Sequence, residues 1–370
     1  MVLAVTFILS GFVKAVDPLG TQYKINDYLQ AWGMGDLVPD FVTLSASVGQ
    51  SALEFCLGIF LLFAIRRRLT SRLILLVMVV MTPLTLWLAL ANPIHDCGCF
   101  GDALVLTNWQ TFWKNVVLLV CAVVVALWPK LMFRFVSESN QWIVINYSIL
   151  FTLGISLWSL YYLPTFDFRP YHVGTNLRQQ WTRTMEGEDL PYADFFIEHT
   201  DNGEDITEAV LADTSYNFLL VSPYLEQADD AQLDRINQLY EYAHDHDYGF
   251  YCLTSSNHSS MDRWRETTGA EYPFCQTDAI TLKTVIRSNP GLVLLKDGTI
   301  IRKWSHNDLP VIDEAATMQP LNTMEAGQMP SDNVAIKIVR LLLWFALPLA
   351  LLTLADRLWM WTKWLRRKKQ

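Results

Sequence analysis

Six apolar runs constrain this chain more than any other feature. They cover roughly 1–16, 41–65, 73–90, 112–131, 142–162 and 334–355. A stretch of ~20 apolar residues with few charges crosses the hydrocarbon of a bilayer as a helix. The pattern therefore predicts a polytopic α-helical membrane protein with about six transmembrane helices. The first run is short for a full crossing. Either Lys14 snorkels to the interface or the chain continues upstream. A cleavable signal peptide fits poorly, because there is no basic flank and no A-x-A-like site.

Basic residues set the orientation. "RRRLTSR" (66–72) lies between the second and third runs, "PKLMFR" (129–134) follows the fourth, and "WLRRKKQ" (364–370) follows the sixth. Six crossings put all three on one side, which the positive-inside bias assigns to the cytoplasm. The expectation is a multi-pass protein of the inner (cytoplasmic) membrane with both termini cytoplasmic. The loops 17–40 and 92–111 then face outward, as does the segment 164–332, which is extracytoplasmic or periplasmic. Membrane lipid is the first expected partner.

The outward segment carries 28 Asp and Glu against 11 Lys and Arg, a net −17, whereas the whole chain is only −9. So acidic a face argues against nucleic acid and against docking on anionic lipid. The six cysteines divide. Cys56 and Cys121 sit in apolar runs, where a lone Cys is mostly a small packing residue. Cys97, Cys99, Cys252 and Cys275 face a compartment that is oxidising in bacteria.

The outward loop reads "HDCGCFGD" (95–102). Residues two apart separate their Cα atoms by at most ~7 Å. A disulfide needs about 4.4–6.8 Å, so Cys97 and Cys99 can bond only through a bent backbone, and Gly98 supplies that freedom. So small a ring suits exchange better than stapling. Asp96 and Asp102 would raise a nearby thiol's pKa, and a protonated His95 would lower it. Two other readings stay open. One is a structural turn. The other is a metal site using His95, Cys97 and Cys99, although zinc favours wider cysteine spacing and a fourth ligand; no metal is expected. Glu54 is the second candidate. An ionisable group deep in a membrane run is costly and marks function, here a proton relay. Alternatively it is a carboxylate held between helices by Lys14 or a serine hydroxyl.

Three stretches together, "ILSGFVKAVDPLGTQYKINDYLQAWG" (8–33), "SALEFCLGIFLL" (51–62) and "NPIHDCGCFGDALVLTNWQTFWKN" (92–115), resemble the DoxX-like / methylamine-utilisation MauE family over about the first 130 residues. In the first of them Pro18 and Gly20 are read as ending the helix. Tyr23, Tyr28, Leu29 and Trp32 then form an amphipathic stretch at the outer interface. The resemblance implies a four-helix DoxX-like bundle over 1–135, linked to redox chemistry outside the membrane. MauE proteins are associated with maturing a disulfide-rich, quinone-cofactor dehydrogenase, and DoxX relatives with quinone-reducing sulfur oxidation. No covalently bound cofactor is expected, and a quinone is the candidate acceptor.

Beyond a fifth helix over 141–163, the segment 164–332 reads as α/β. Alternation around Asn202-Gly203 signals a hairpin. "YNFLLVSPYLEQ" (216–227) reads as a buried strand and turn, 229–247 as a helix, and "YGFYCLTSS" (248–256) as a strand. "SSMDRWRETTG" (259–269) reads as a helix with a serine cap, with Cys275 in a following loop. "LKTVIRSNPGLVLLKDGTIIRKW" (282–304) reads helix, turn, strand, Asp-Gly turn, strand. This stretch resembles the C-terminal half of a thioredoxin-like fold, with Pro290 at the family's cis-proline position. The C-x-x-C of that family is missing: its place reads "VSPYLEQADD" (221–230). Cys252 and Cys275 are free or paired with each other, and His258 and His306 are expected to face solvent. A sixth helix over 334–356 and a basic cytoplasmic tail, 357–370, complete the chain.

Two functions compete. In the first, Cys97 and Cys99 exchange disulfides with an extracytoplasmic protein and pass electrons to a membrane acceptor, as an oxidoreductase. In the second, the chain is a non-catalytic anchor or assembly factor whose cysteine-less thioredoxin-like domain binds a client.

Overall fold

The computed structural model describes residues 1–94, 97–188, 190, 192, 194–312, 317–330 and 334–368. Contacts divide it into two units, Met1–Ser159 with Asp332–Gln370, and Leu160–Ser331.

The first unit is helical. α1 (Val2–Val16) runs into α2 (Pro18–Ala31) through a 98° bend. Pro18 therefore does not simply end a helix, as its sequence context suggested. It opens the second one, where the missing N–H has no intrahelical partner to lose. Asp17 sits at the bend, and its Oδ1 accepts from the Gly20 N–H at 2.9 Å. Next come α3 (Asp40–Leu62), α4 (Arg67–Ala91), α5 (Asn108–Leu127) and α6 (Gln141–Tyr161). Leu3, Ala4 and Phe7 of α1, Leu57 and Leu61 of α3, Ile74 and Met78 of α4, and Leu118 and Ala122 of α5 share one buried core. α1 crosses α3 so closely that a Cβ on Gly11 would lie 2.2 Å from the Phe55 backbone nitrogen.

The second unit is a layered α/β domain. Its elements are α7 (Leu177–Met185), β1 (Glu198–His199), α8 (Thr207–Ala212), β2 (Tyr216–Val221), α9 (Leu233–Asp245), β3 (Gly249–Thr254), α10 (His258–Thr268), β4 (Phe274–Gln276), α11 (Ala279–Val285), β5 (Gly291–Lys296) and β6 (Thr299–Ser305). The sheet order is β1-β4-β3-β2-β5-β6. β2, β3 and β4 run parallel, and β5 and β6 are antiparallel to their neighbours. β2 is central and buried along its whole length. Its side chains alternate between two cores. Phe218 and Leu220 pack with Ile236 and Leu239 of α9, while Leu219 and Val221 pack with Leu282 and Val285 of α11.

Three local expectations change. The Asn202-Gly203 turn forms, with His199 N–H donating to Glu204 O at 2.8 Å. Only a single bridge, Glu198 to Asp205, follows it, because Asp205 turns the chain into α8 by accepting from Thr207. Cys275 lies in β4, not in a loop. The cap of α10 is Asn257, whose side chain accepts from Ser260 N–H at 2.9 Å, two residues before the predicted Ser259.

The last helix, α12 (Val334–Lys368), belongs to the first unit. Leu349 packs with Phe55 and Ile59 of α3 and Val144 of α6. α3, α4, α5, α6 and α12 are each long and apolar enough to cross a membrane, and α1 with α2 pass the same test as one bent pair. Outward faces such as Leu76, Val80 and Leu90 on α4 and Val117, Val120 and Leu127 on α5 are largely exposed. So much contiguous apolar surface suits lipid rather than water.

Candidate functional site

The loop joining α4 to α5 holds Cys97 and Cys99. α4 stops at Asn92 in the left-handed conformation, and α5 starts with a capping box between Thr107 and Gln110. Asn108 ties the base of the loop, donating to Asn92 Oδ1 and Ile94 O, each at 2.8 Å. Between these anchors Gly98 takes φ +64, and a Cβ there would meet Lys24 Cγ at 2.9 Å. The glycine is thus needed twice, for the turn and for the approach to α2.

Both cysteine carbonyls are held by helices from far back in the chain. Tyr28 Oη of α2 donates to Cys97 O at 3.1 Å, and Ser10 Oγ of α1 donates to Cys99 O at 2.7 Å. The two sulfurs lie 2.8 Å apart, and both thiols are free. In this reduced pair the two groups differ. A hydrogen bond from the Cys97 thiol, against opposing burial and helped by Lys114 and Lys14, brings Cys99 down to about 6. Sharing that proton with Cys99, together with burial, pushes Cys97 well above the usual thiol range. Of the two, Cys99 is therefore the thiol that ionises first, with Cys97 as its hydrogen-bond partner.

Glu54 sits below this turn on α3. Lys14 Nζ donates to its Oε1 at 2.7 Å and its Oε2 at 2.8 Å. Gln50 donates to Oε1 at 3.1 Å, and Ser10 reaches Oε2 at 2.6 Å. A hydroxyl carries one proton, so Ser10 divides it between Glu54 and the Cys99 carbonyl. The polar partners anticipated for Glu54 are thus in place, and they connect it to the cysteine turn. Lys114 of α5 stands beside Cys99, its Nζ 4.6 Å from the centre of the Phe100 ring.

Two hollows meet this cluster. A small one of about 40 Å³ is lined by Ser10, Lys14, Glu54, Cys99, Lys114 and Asn115 among others. A larger one of about 280 Å³ lies between α1, α2, α3, α4 and the cysteine turn.

His95 and Asp96, named as modulators of the thiols, lie outside the described residues. Among the described residues no group of three or more His, Cys, Asp or Glu is placed to hold a metal. The sequence does not single out Ser10, Gln50 or Lys114, and it marks Tyr28 only as an interfacial residue. A signal for two of them existed. Ser10 and Lys14, and likewise Gln50 and Glu54, stand four apart on otherwise apolar helices, so each pair shares one face.

In the α/β unit, the Asn289–Pro290 bond is cis and leads into β5. The turn after β2 carries no thiol. Ser222 Oγ donates to Asn289 Oδ1 at 2.7 Å, and Asn289 Nδ2 donates to Tyr224 O at 2.9 Å. His306 is not a solvent-facing histidine. It is half-buried, its Nδ1 2.9 Å from Ser288 Oγ, because β6 delivers it beside the segment before Pro290. Cys252 and Cys275 are both free and belong to different cores, one on each side of the sheet, so they cannot pair. Burial pushes both thiols up, Cys275 to about 12.

Residues 1–128 match the family of methylamine utilisation protein MauE. No curated protein matches the chain. A solution structure from Bacteroides thetaiotaomicron, of a protein assigned as a disulfide isomerase, is similar over 31% of this chain and 76% of its own, at 17% identity and a TM-score of 0.24. A similarity that low carries no argument about this chain.

Proposed function

We propose, with the MauE match of residues 1–128 as premise, that this is a membrane redox protein exchanging thiols and disulfides at Cys97 and Cys99. The observation that carries this is the cysteine pair itself: two free thiols with sulfurs 2.8 Å apart, held by α1 and α2 over a buried ion pair. In one turnover a partner dithiol reduces the Cys97–Cys99 disulfide. Two S–H bonds of the partner break and its S–S bond forms, while Cys97 and Cys99 take up both electrons and two protons. Cys99 leaves more readily than Cys97 because its thiolate is the more stable. Glu54, Lys14 and Ser10 form the polar stack through which a proton reaches or leaves the turn.

The remaining parts fit this reading. We place six crossings in an inner membrane, with the termini cytoplasmic and the α/β unit extracytoplasmic. We read that unit as a thioredoxin-like domain, a reading that its mixed sheet of order β1-β4-β3-β2-β5-β6 supports. Its own C-x-x-C site is replaced by the Ser222–Asn289–Tyr224 network, so it recognises an extracytoplasmic protein without reacting with it. That network also favours a second reading, a non-catalytic assembly factor in which only client binding matters.

Differential alkylation with mass spectrometry separates the two. The full-length protein in nanodiscs is treated with dithiothreitol or with a mild thiol oxidant. Exchange predicts that Cys97 and Cys99 interconvert together between alkylated and protected forms. A pair fixed in one state throughout, with a C97S/C99S variant fully active in cells, leaves the assembly reading.

A further inference from the structure

The end of the helical unit away from the cysteine turn carries an unbalanced charge. α4 starts at this end and stops at the cysteine turn, about 36 Å away at 1.5 Å per residue. Segments 66–72, 129–140 and 356–370 together hold twelve Lys and Arg against two Asp and Glu. Their sequence places them on one side of a membrane and no more. The fold draws them together. We propose that they form a binding site for an anionic phospholipid, with arginines on the headgroup phosphate and indoles around it at the headgroup level.

The loop from α5 to α6 is the centre of this surface. α12 grips it from one side. Asp356 accepts from Ser137 Oγ and Asn140 Nδ2, each at 2.6 Å, and from the Ser137 N–H at 2.8 Å. Arg357 donates to Arg134 O, and its guanidinium carbon lies 5.5 Å from the centre of the Phe133 ring. The turn from α3 to α4 holds the loop from the other side. Phe63 meets Phe135 edge-on at 5.9 Å, and Ile65 and Val136 share a buried core. Gln141, at the start of α6, accepts from the Arg66 N–H at 3.0 Å.

These contacts occupy both carboxylates. Asp356 is buried among its donors, and Glu138 pairs with Arg134 at 2.9 Å. The first turn of α4 has no acidic residue. Among the described residues, the side chains of Arg66, Arg67, Arg68, Arg72 and Lys130 take part in no ion pair or hydrogen bond. A surface of cations without carboxylates to answer them attracts anions. Eight of the twelve are arginine, whose planar fork meets a phosphate through two parallel hydrogen bonds.

Aromatic rings say which anion. Trp128 closes α5 and Trp142 opens α6, and both are exposed. Trp359, Trp361 and Trp364 follow the apolar stretch of α12, exposed on three sides of that helix. Indoles at the ends of apolar helices sit at the level of lipid headgroups. α12 runs twelve residues past Asp356 without a break, so Lys363 and Arg366 rise from among the indoles on a rigid rod. Nucleic acid or an acidic soluble protein would use the cations and leave the indoles in water. A phospholipid uses both.

The test is a lipid titration of the full-length protein, stripped of lipid in dodecyl maltoside and read by native mass spectrometry. Dioleoylphosphatidylglycerol should be retained at a half-saturating concentration at least about tenfold below that of dioleoylphosphatidylcholine. R68Q/R72Q, and separately K363Q/R366Q, should each raise that concentration at least about tenfold. All four residues are exposed, so the fold is kept. K337Q/R340Q removes the same charge from the opposite end of α12 and should behave as the parent. Equal retention of the two lipids, parent-like binding by both site variants, or an equal loss in K337Q/R340Q overturns the site. So does displacement of the lipid by soluble glycerophosphoglycerol or by a single-stranded oligonucleotide, because the indoles would then contribute nothing.

Discussion

The asymmetry between Cys97 and Cys99 is open to direct measurement. Cys99 is brought from the ordinary value of 9.0 to about 6, chiefly by the Cys97 thiol. At pH 7 that makes roughly 90% of it thiolate, against about 1% for an ordinary thiol, a gain of about 90-fold. A more stable thiolate is also a weaker nucleophile. With a Brønsted slope of about 0.4–0.5, three pKa units lower its intrinsic reactivity about 15- to 30-fold. The net gain at pH 7 is thus only about 3- to 6-fold, too small to be diagnostic. The midpoint of the pH profile is diagnostic. Iodoacetamide labelling of the fully reduced protein, read on the Cys99 peptide between pH 4.5 and 9.5, should turn on near pH 6. Cys97→Ala removes the largest stabilising contact and should move the midpoint up by at least about one unit, equivalent to about 1.4 kcal/mol. Lys114→Met should move it in the same direction by less. A parent midpoint above 8, or a C97A profile that overlays the parent, would falsify the assignment of Cys99 as the thiolate.

Three further outcomes are expected. Glu54→Gln leaves Lys14 buried without its anion, which should cost about 3–5 kcal/mol and lower the thermal midpoint of the detergent-solubilised protein; the K14M/E54Q double variant should recover most of that loss. Gly98→Ala forces an L-residue into φ +64 and against Lys24, so the turn should lose about 1–2 kcal/mol and Cys97/Cys99 should reoxidise more slowly than in the parent under the same oxidant. In the α/β unit burial pushes the Asp167 carboxyl up, but Lys303 and Arg169 overcome it and hold the group well below the usual carboxylate range. Its folded value is below its unfolded one, so its contribution is complete above about pH 4 and is lost as pH falls further; Asp167→Asn should lower the melting temperature of this unit at pH 7 and flatten the acid limb of its pH dependence.

Much of this molecule is written locally. The apolar runs specify α3 to α6 and α12, because twenty apolar residues in a row have few other stable fates. The strands β2, β3, β5 and β6 follow from their own composition and from the Asn-Pro and Asp-Gly turns between them. Cys97-Gly98-Cys99 announces a bent backbone, since two cysteines so close can meet no other way. β4 is different. Three residues, Phe274 to Gln276, become a strand only because β3 offers them an edge, and that pairing places Cys275 on the side of the sheet away from Cys252. His306 is a similar case, since its place beside Ser288 depends on β6 pairing with β5.

The site divides along the same line. The sequence by itself determined which groups are unusual: two thiols around a glycine, and a carboxylate deep in an apolar helix. Only the tertiary structure decided what they face. Ser10, Lys14 and Tyr28 come from the first thirty residues, Glu54 from α3 and Lys114 from α5, and they converge on one turn that lies 89 residues beyond Ser10. Helical periodicity states which residues share a face of one helix. It does not state which neighbour that face meets, because that choice is made by close approaches such as Gly11 on Phe55, whose energy depends on residues distant in the chain.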